Sequence, residues 1–227
     1  MKIEVVKPQR LYLRVAEQLI TAIQRGTPGI GERLPSEREL AQRFGVSRPT
    51  IREAMIALEI AGQVEIRSGS GVYVTQTGGP GLQLDAGAGP FEILEARRLL
   101  ERETAALAAQ RISATQLAEL EALLQEMQHE NQRPDITEAA DEAFHCRIAE
   151  ATGNSLLAAS VNWLWKLRND ATISTYFHQR MREEGSRPII DDHRRIIEAL
   201  RARDPDAARA AMDLHLQRVV KSLMKKP

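Results

Sequence analysis

The chain holds 227 residues, enough for two domains, and its 31 Lys+Arg against 31 Asp+Glu leave no net charge to select nucleic acid or membrane as a bulk partner. A hydrophobic content of 43% is that of a soluble globular protein, yet no apolar run is long enough to span a bilayer and the basic, polar N-terminus lacks a signal-peptide pattern. One cysteine, Cys146, excludes an internal disulfide framework and suits the cytoplasm, while 4% aromatic content and an excess of Ala, Leu, Glu and Arg after residue 90 favour helices.

In chain order, Leu11, Val15, Leu19 and Ile23 recur at helical spacing and predict a helix from about Leu11 to Arg25. The segment LPSERELAQRFGVSRPTIREAMIAL, residues 34–58, then reads as two short helices joined by a tight turn. Ser36 and Glu39 fit a capping box, Leu40 supplies the apolar contact, and Gly45 is free to end the first helix in the left-handed region. Ser47 caps the second helix, which tolerates Pro49 because first-turn amides have no intrahelical partner. Ile51, Met55 and Leu58 form its inward stripe, and Arg48, Thr50 and Arg52 on its first turn are expected to face outward. Val64–Arg67 and Val72–Val74 alternate around Ser68-Gly69-Ser70-Gly71, a hairpin pattern. Three helices and a hairpin make a winged helix-turn-helix, assigned to residues 1–75.

Residues 1–76 carry 11 Lys/Arg against 8 Asp/Glu, so placement matters more than charge count. Arg48 and Arg52 are four apart and share a helix face, from which an arginine can grip guanine bidentately in the major groove for ~1–3 kcal/mol of discrimination. Thr50 can meet a phosphate or a thymine methyl, and the wing from Arg67 to Gly69 would follow the minor groove or backbone. The bland alternative, arginines that only solvate a helix face, is disfavoured by the complete winged helix around them. Glu37, Glu39 and Glu53 are read as caps or ion-pair partners.

Residues 76–90 are rich in Gly and Pro and read as a linker. Beyond them, residues 91–227 form an all-α bundle with helices expected near 91–110, 114–130, 136–152, 154–177, 186–203 and 205–225. Ser113 with Gln116 offers a capping box, Gly153-Asn154 stops one helix and caps the next, and Asp204-Pro205 opens the last. The fold class is therefore mainly α, an N-terminal winged helix-turn-helix followed by a helical bundle.

Four polar residues interrupt the apolar stripes of that bundle. Asp141 and His145 share a helix side with Phe144 and Ile148, His193 precedes Ile197 and Leu200, and His215 lies on the stripe Ala208, Met212, Val219. Unpaired buried imidazoles and carboxylates are costly, and one shared partner is the economical solution. Three imidazoles and a carboxylate suit a divalent transition metal, zinc foremost and Ni, Co, Fe or Mn after it. Singly, each histidine would be read as a hydrogen-bonded core residue; together they point to a metal. Arg97 lies on the stripe Ile93, Leu100, Thr104, Leu107 and should point inward. It either clamps a ligand carboxylate beside the metal or forms an internal salt bridge, with Glu101 the nearest partner. His129 and His178 fall outside the pattern, and Cys146 is read as a small core residue.

The order of the first elements, and Leu34-Pro35-Ser36-Glu37-Arg38 in particular, closely resembles the GntR family of bacterial transcription regulators over roughly residues 10–75. That resemblance implies that Arg38 also reaches DNA. Asp-x-x-Phe-His at 141–145, Gly-Asn at 153–154, Asp-His at 192–193 and His-Leu at 215–216 resemble the FCD effector domain of the FadR subfamily over about 91–222. Its metal-binding members use this Asp and these three His, which disfavours the metal-free acyl-CoA-binding branch. Residues 89–97 and 148–155 are similar to stretches in repressors of hexuronate utilisation.

The expectation is a homodimeric transcription regulator, a repressor, that binds double-stranded DNA at a short inverted repeat and responds to a small carboxylate. A sugar acid comes first, then lactate, other hydroxy acids and dicarboxylates. A metal sensor and a purely structural metal are rival readings. An enzyme using metal-activated water is disfavoured, since no general base stands beside the ligands and a DNA reader serves no hydrolase.

Overall fold

A computed structural model describes residues 10–75, 87–133 and 137–225. The chain opens with α1 (Leu11–Gln24), α2 (Glu37–Phe44), α3 (Arg48–Ile60), β1 (Val64–Arg67) and β2 (Gly71–Val74). Helix α1 buries Val15, Leu19 and Ile23, but Tyr12 takes the inward place expected of Leu11, which is half exposed. Ser36 accepts from the Glu39 amide, yet the Glu39 carboxylate turns to Arg43, so only half of the expected capping box forms. Gly45 ends α2 at φ 65°, and the Ser47 hydroxyl caps α3 by accepting from the Thr50 amide. The hairpin is antiparallel with Val64 opposite Val74 and Arg67 opposite Gly71, so Gly71 belongs to the strand and not to the turn. Residues 31–34 line the outer edge of β2, with Gly31 N donating to Val74 O and Leu34 N to Val72 O, both at 2.8 Å.

The bundle comprises α4 (Pro90–Arg111), α5 (Ala114–Glu130), α6 (Ala139–Ala151), α7 (Ser155–Asp170), α8 (Thr172–Glu183), α9 (Ile190–Arg201) and α10 (Pro205–Lys225). Helix α4 is the axis, packed against α10, α6, α7 and α9. Pro90, first assigned to the linker, is the opening residue of α4, where its fixed φ and missing N–H cost nothing; residues 76–86 of that linker lie outside the described residues. Ser113 and Gln116 complete a reciprocal capping box, and Asn154 accepts from the Leu156 and Leu157 amides after Gly153 at φ 64°. The single helix expected at 154–177 is two. The chain turns extended at Ala171, where the Thr175 hydroxyl donates to the carbonyls of Asn169 and Ala171. A β-branched run, Thr172, Ile173, Thr175, gives the break little helical propensity to oppose. Glu138, just before α6, is left-handed at φ 61°, a conformation that a non-glycine residue holds only when its surroundings demand it.

The winged helix rests on the bundle through specific contacts. Tyr12 Oη donates to Gly87 O at 2.9 Å, and the Glu53 carboxylate accepts from Phe91 N (2.9 Å) and Glu92 N (3.1 Å) at the start of α4. Arg180 on α8 pairs with Glu59 and donates to Ile66 O of the wing at 2.7 Å. Among the described residues no helix is long and apolar enough to cross a membrane.

Candidate metal centre and nucleic-acid interface

Helix periodicity brings Asp141 and His145 of α6, His193 of α9 and His215 of α10 to one point inside the bundle. One donor atom from each lies within 4.8 Å of all the others. The three imidazoles are buried. His193 Nδ1 stands 2.9 Å from Ile189 O and its Nε2 2.8 Å from Asp141 Oδ1; a metal would take Nε2 through its lone pair and leave the proton on Nδ1, facing that carbonyl. His145 Nδ1 stands 2.6 Å from Glu101 Oε2. His145 Nε2 and His215 Nδ1 are buried with no hydrogen-bond partner among the described residues. Orphaned buried nitrogens carry a desolvation cost, and a cation shared with Asp141 and His193 would satisfy both. The donor set fits a borderline metal ion.

The electrostatics agree. Burial pushes the Asp141 carboxyl upward, but the His193 hydrogen bond and the surrounding imidazoles outweigh it and hold it far below the usual carboxylate range. Burial, with His193 and His145 beside it, pushes His215 well below the ordinary histidine value, so it is a neutral ring with a free lone pair. Glu101 is buried, which would raise it, yet Arg97 and His145 bring it down to about 2. It is therefore a fixed anion behind His145.

Arg97 points inward as its stripe requires, and its Nε sits 2.6 Å from Glu101 Oε1. The internal salt bridge is thus present. The guanidinium also lies 3.9 Å from the Trp165 ring centre and lines a cavity of about 60 Å³ that reaches Asp141 and His215. That cavity contains residues the sequence reading missed: Glu138, Arg168 and His178. His178, set aside as off the pattern, is buried. Arg168 and Trp165 continue a stripe from Val161, the same inward-arginine signal that singled out Arg97. His178 lies beyond the break at Ala171, on a helix that the single span expected over 154–177 did not separate. Cys146 packs beside Trp165, and burial together with Glu142 pushes its thiol up to about 12, an inert core residue.

On the reading side, Arg38 and Arg48 are exposed, and Arg48 Nη2 lies 3.3 Å from Glu37 Oε2. The Thr50 hydroxyl is 2.8 Å from Ser47 Oγ and helps close the cap. Arg67 and Gly69 are exposed on the wing, Arg67 pairing with Glu65 over the Tyr73 ring. Arg52 is the correction. Expected to face outward, it is buried, held bidentately by Glu37 at 2.6 and 2.9 Å and donating through Nη1 to Leu223 O of α10 at 2.6 Å. The physical reason is that α10 ends against the start of α3, where a free carbonyl of the helix terminus attracts a guanidinium. Arg38, Arg48, Arg52 and Gly69 line one side of a cleft of about 650 Å³ whose other side is Phe177, Arg180, Met181 and Met224. The reading face is partly covered by the bundle.

Comparison with known proteins fits this division. Residues 11–74 match the model of the bacterial regulatory proteins of the gntR family, and residues 92–218 match the FCD domain. The chain belongs to the gntR family. It is 36% identical over 220 residues to the Exu regulon transcriptional regulator of Escherichia coli, covering 94% of this chain and 84% of that one. It is 34% identical over 215 residues to the Uxu operon regulator of Haemophilus influenzae, covering 92% and 80%. A solved GntR-family regulator from Pseudomonas syringae shares the fold, with a TM-score of 0.51 at 24% identity over 94% of this chain and 84% of that one. This gntR-family protein is a transcription regulator and not an enzyme, as its relatives are, and the family binds DNA, typically as dimers.

Proposed function

We propose that this gntR-family regulator is a homodimeric repressor whose hold on an inverted-repeat operator is controlled by a small carboxylate, a sugar acid, bound at a metal site formed by Asp141, His145, His193 and His215. Zinc is the first choice for such a nitrogen-rich donor set, with Ni, Co, Fe or Mn able to replace it. Arg97 would take one part of the ligand carboxylate and the metal another. The metal supplies a Lewis-acid anchor when bound, and Arg97, held by Glu101 and Trp165, supplies orientation. The similarity to the Exu and Uxu regulators supports a sugar acid of the uronate or aldonate type.

One observation carries this reading: Met181 and Leu223 line both the cavity beside the metal cluster and, directly or through the adjoining Met224, the edge of the cleft facing α3. The Leu223 carbonyl also holds Arg52. A cavity of about 60 Å³ has room for roughly four waters, whereas a six-carbon acid has about a dozen heavy atoms, so ligand entry must move these walls. An effector can shift the reader only through its unequal affinity for two arrangements. The effector therefore favours an arrangement that differs from the present one at Met181 and Leu223, and in that arrangement the readers are turned away from the orientation the operator accepts. In the effector-free arrangement that holds the operator, Arg38, Arg48, Thr50, Arg67 and Gly69 contact DNA, joined by Arg52 where Leu223 releases it.

The test combines a thermal-shift series with operator titration on metal-loaded protein. Galacturonate or glucuronate should raise the melting temperature of the holo form only and weaken operator binding at least tenfold. Stabilisation of metal-free protein to the same extent, or no response to any carboxylate, would overturn the proposal. A response to metal alone would favour a metal sensor.

A further inference from the structure

The cavity beside the metal cluster is lined by two sets of polar residues. One is Asp141, His215 and Arg97, which the proposed function assigns to the metal and the ligand carboxylate. The other is Glu138, Arg168 and His178, brought from three separate helices or their caps. Arg168 donates to Glu138 and lies 3.5 Å from His178 Nδ1, while Arg182 donates to the same Glu138 oxygen at 3.3 Å. Arg168 also stands 5.0 Å from the centre of the Trp165 ring that carries Arg97, so one buried indole positions both guanidiniums. Arg168 and His178 are 7% and 8% exposed, too buried for a solvated surface pair. Glu138 itself is left-handed at φ 61°, and Arg168 and Arg182 hold its carboxylate.

Resting on the carboxylate-effector reading above, we propose that Glu138, Arg168 and His178 are specificity-determining residues that read the hydroxyl groups of a polyhydroxylated acid whose carboxylate is held by Arg97. The chemistry of the trio supports hydroxyls over a second acid group. Glu138 is an acceptor that a ligand hydroxyl can donate to, and its charge opposes a second ligand carboxylate. Arg168 remains a donor after meeting Glu138, since a guanidinium has five N–H groups. His178 is neutral: burial and the nearby Arg168, Arg97 and Arg182 push it well below the usual histidine value. With Arg168 donating to Nδ1, the ring proton sits on Nε2, which leaves a second donor. A hydroxyl group is both donor and acceptor, and this trio offers both. A ligand lacking the hydroxyls would strand these buried groups without partners, and that is where discrimination is large.

The experiment measures ligand affinity by calorimetry on the metal-loaded, full-length protein. The probes are galacturonate and glucuronate, which differ at one hydroxyl, lactate, which carries the acid but no distal hydroxyls, and a six-carbon dicarboxylic sugar acid. The wild-type protein should bind a uronate at least tenfold tighter than lactate. His178→Gln and the charge-conserving Arg168→Lys should weaken the uronate 10- to 100-fold, with lactate affinity unchanged within twofold and metal content intact. Equal losses for uronate and lactate mean that the pair is only structural and overturn the proposal, as does a uronate preference unaffected by both variants. Tightest binding of the dicarboxylic acid would overturn the hydroxyl reading and assign Arg168 to a second carboxylate. A wild-type protein that binds no carboxylate removes the underlying function instead, and the inference with it.

Discussion

The winged helix and the bundle carry their proposed functional side chains in opposite ways. Arg38 and Arg48 sit at the surface, where a change alters what the protein touches and little of what holds it together. His145, His193 and His215 lie inside, where any change also alters the core. A surface site can therefore be separated from stability by mutation, and a buried site cannot. Arg52 breaks the division, because it belongs to the reading helix and is buried against Leu223.

The largest effect should come from the buried side. If the four donors hold a metal, chelation removes a ligand that binds only the folded state, and at saturating metal that ligand contributes about 2.7 kcal/mol or more. For a chain of this size the melting temperature should fall by roughly 5–10 °C on chelation. His193→Ala should abolish metal stoichiometry, measured by elemental analysis, and make the protein indifferent to chelator. A wild-type melting temperature that chelator leaves unchanged would show that the imidazoles are satisfied without a metal. On the exposed side, Arg48→Ala should leave the melting temperature within about 1–2 °C, since surface changes stay within about 0.5 kcal/mol. It should nonetheless weaken operator binding ~10- to 100-fold, the worth of one bidentate base contact, with a smaller loss on random DNA. Equal losses on both DNAs would reduce Arg48 to a phosphate contact and blur the contrast between the two regions.

The same contrast decides what could be read from the sequence. Local signals were legible where one residue type has one physical use: the Ser113–Gln116 box, the Asn154 cap, the glycine ending α2, and the four polar interruptions that converge in one cluster of Asp141 and three histidines. Periodicity placed Arg97 inside but could not choose its partner, because Glu101 one turn away and a ligand carboxylate satisfy a guanidinium equally well. Three-dimensional matters were not legible. The break at Ala171 depends on Thr175 hydroxyl geometry, and without it His178 fell out of register with the pocket it lines. The burial of Arg52 depends on where α10 ends, 171 residues away along the chain. Spacing within one helix carries no information about a neighbour that distant.

Glu53 gives the smallest and sharpest test of the division, since it sits on the reading helix yet is buried like a bundle residue. Two influences oppose each other there. Burial favours the neutral acid, while the Phe91 and Glu92 amides at the positive end of α4 favour the anion. Burial wins and pushes the carboxyl up to about 7. The unfolded chain has the ordinary glutamate value of about 4.3, so between about pH 4.5 and 7 the folded state holds a proton that the unfolded state has lost. Its contribution is fully present below the lower value and is lost as pH rises through about 7, when a buried charge must be carried between the two regions. Glu53→Gln stays neutral and keeps an oxygen to accept from α4, so it should remove this slope. The wild-type melting temperature, compared with the variant from pH 5 to pH 8, should decline by an extra ~2–5 °C, about 1–2 kcal/mol. Taking the difference between the two proteins cancels every group other than residue 53. Parallel curves would mean that the α4 terminus holds Glu53 ionised throughout, and the contact between reader and bundle would then be a fixed cap, insensitive to pH.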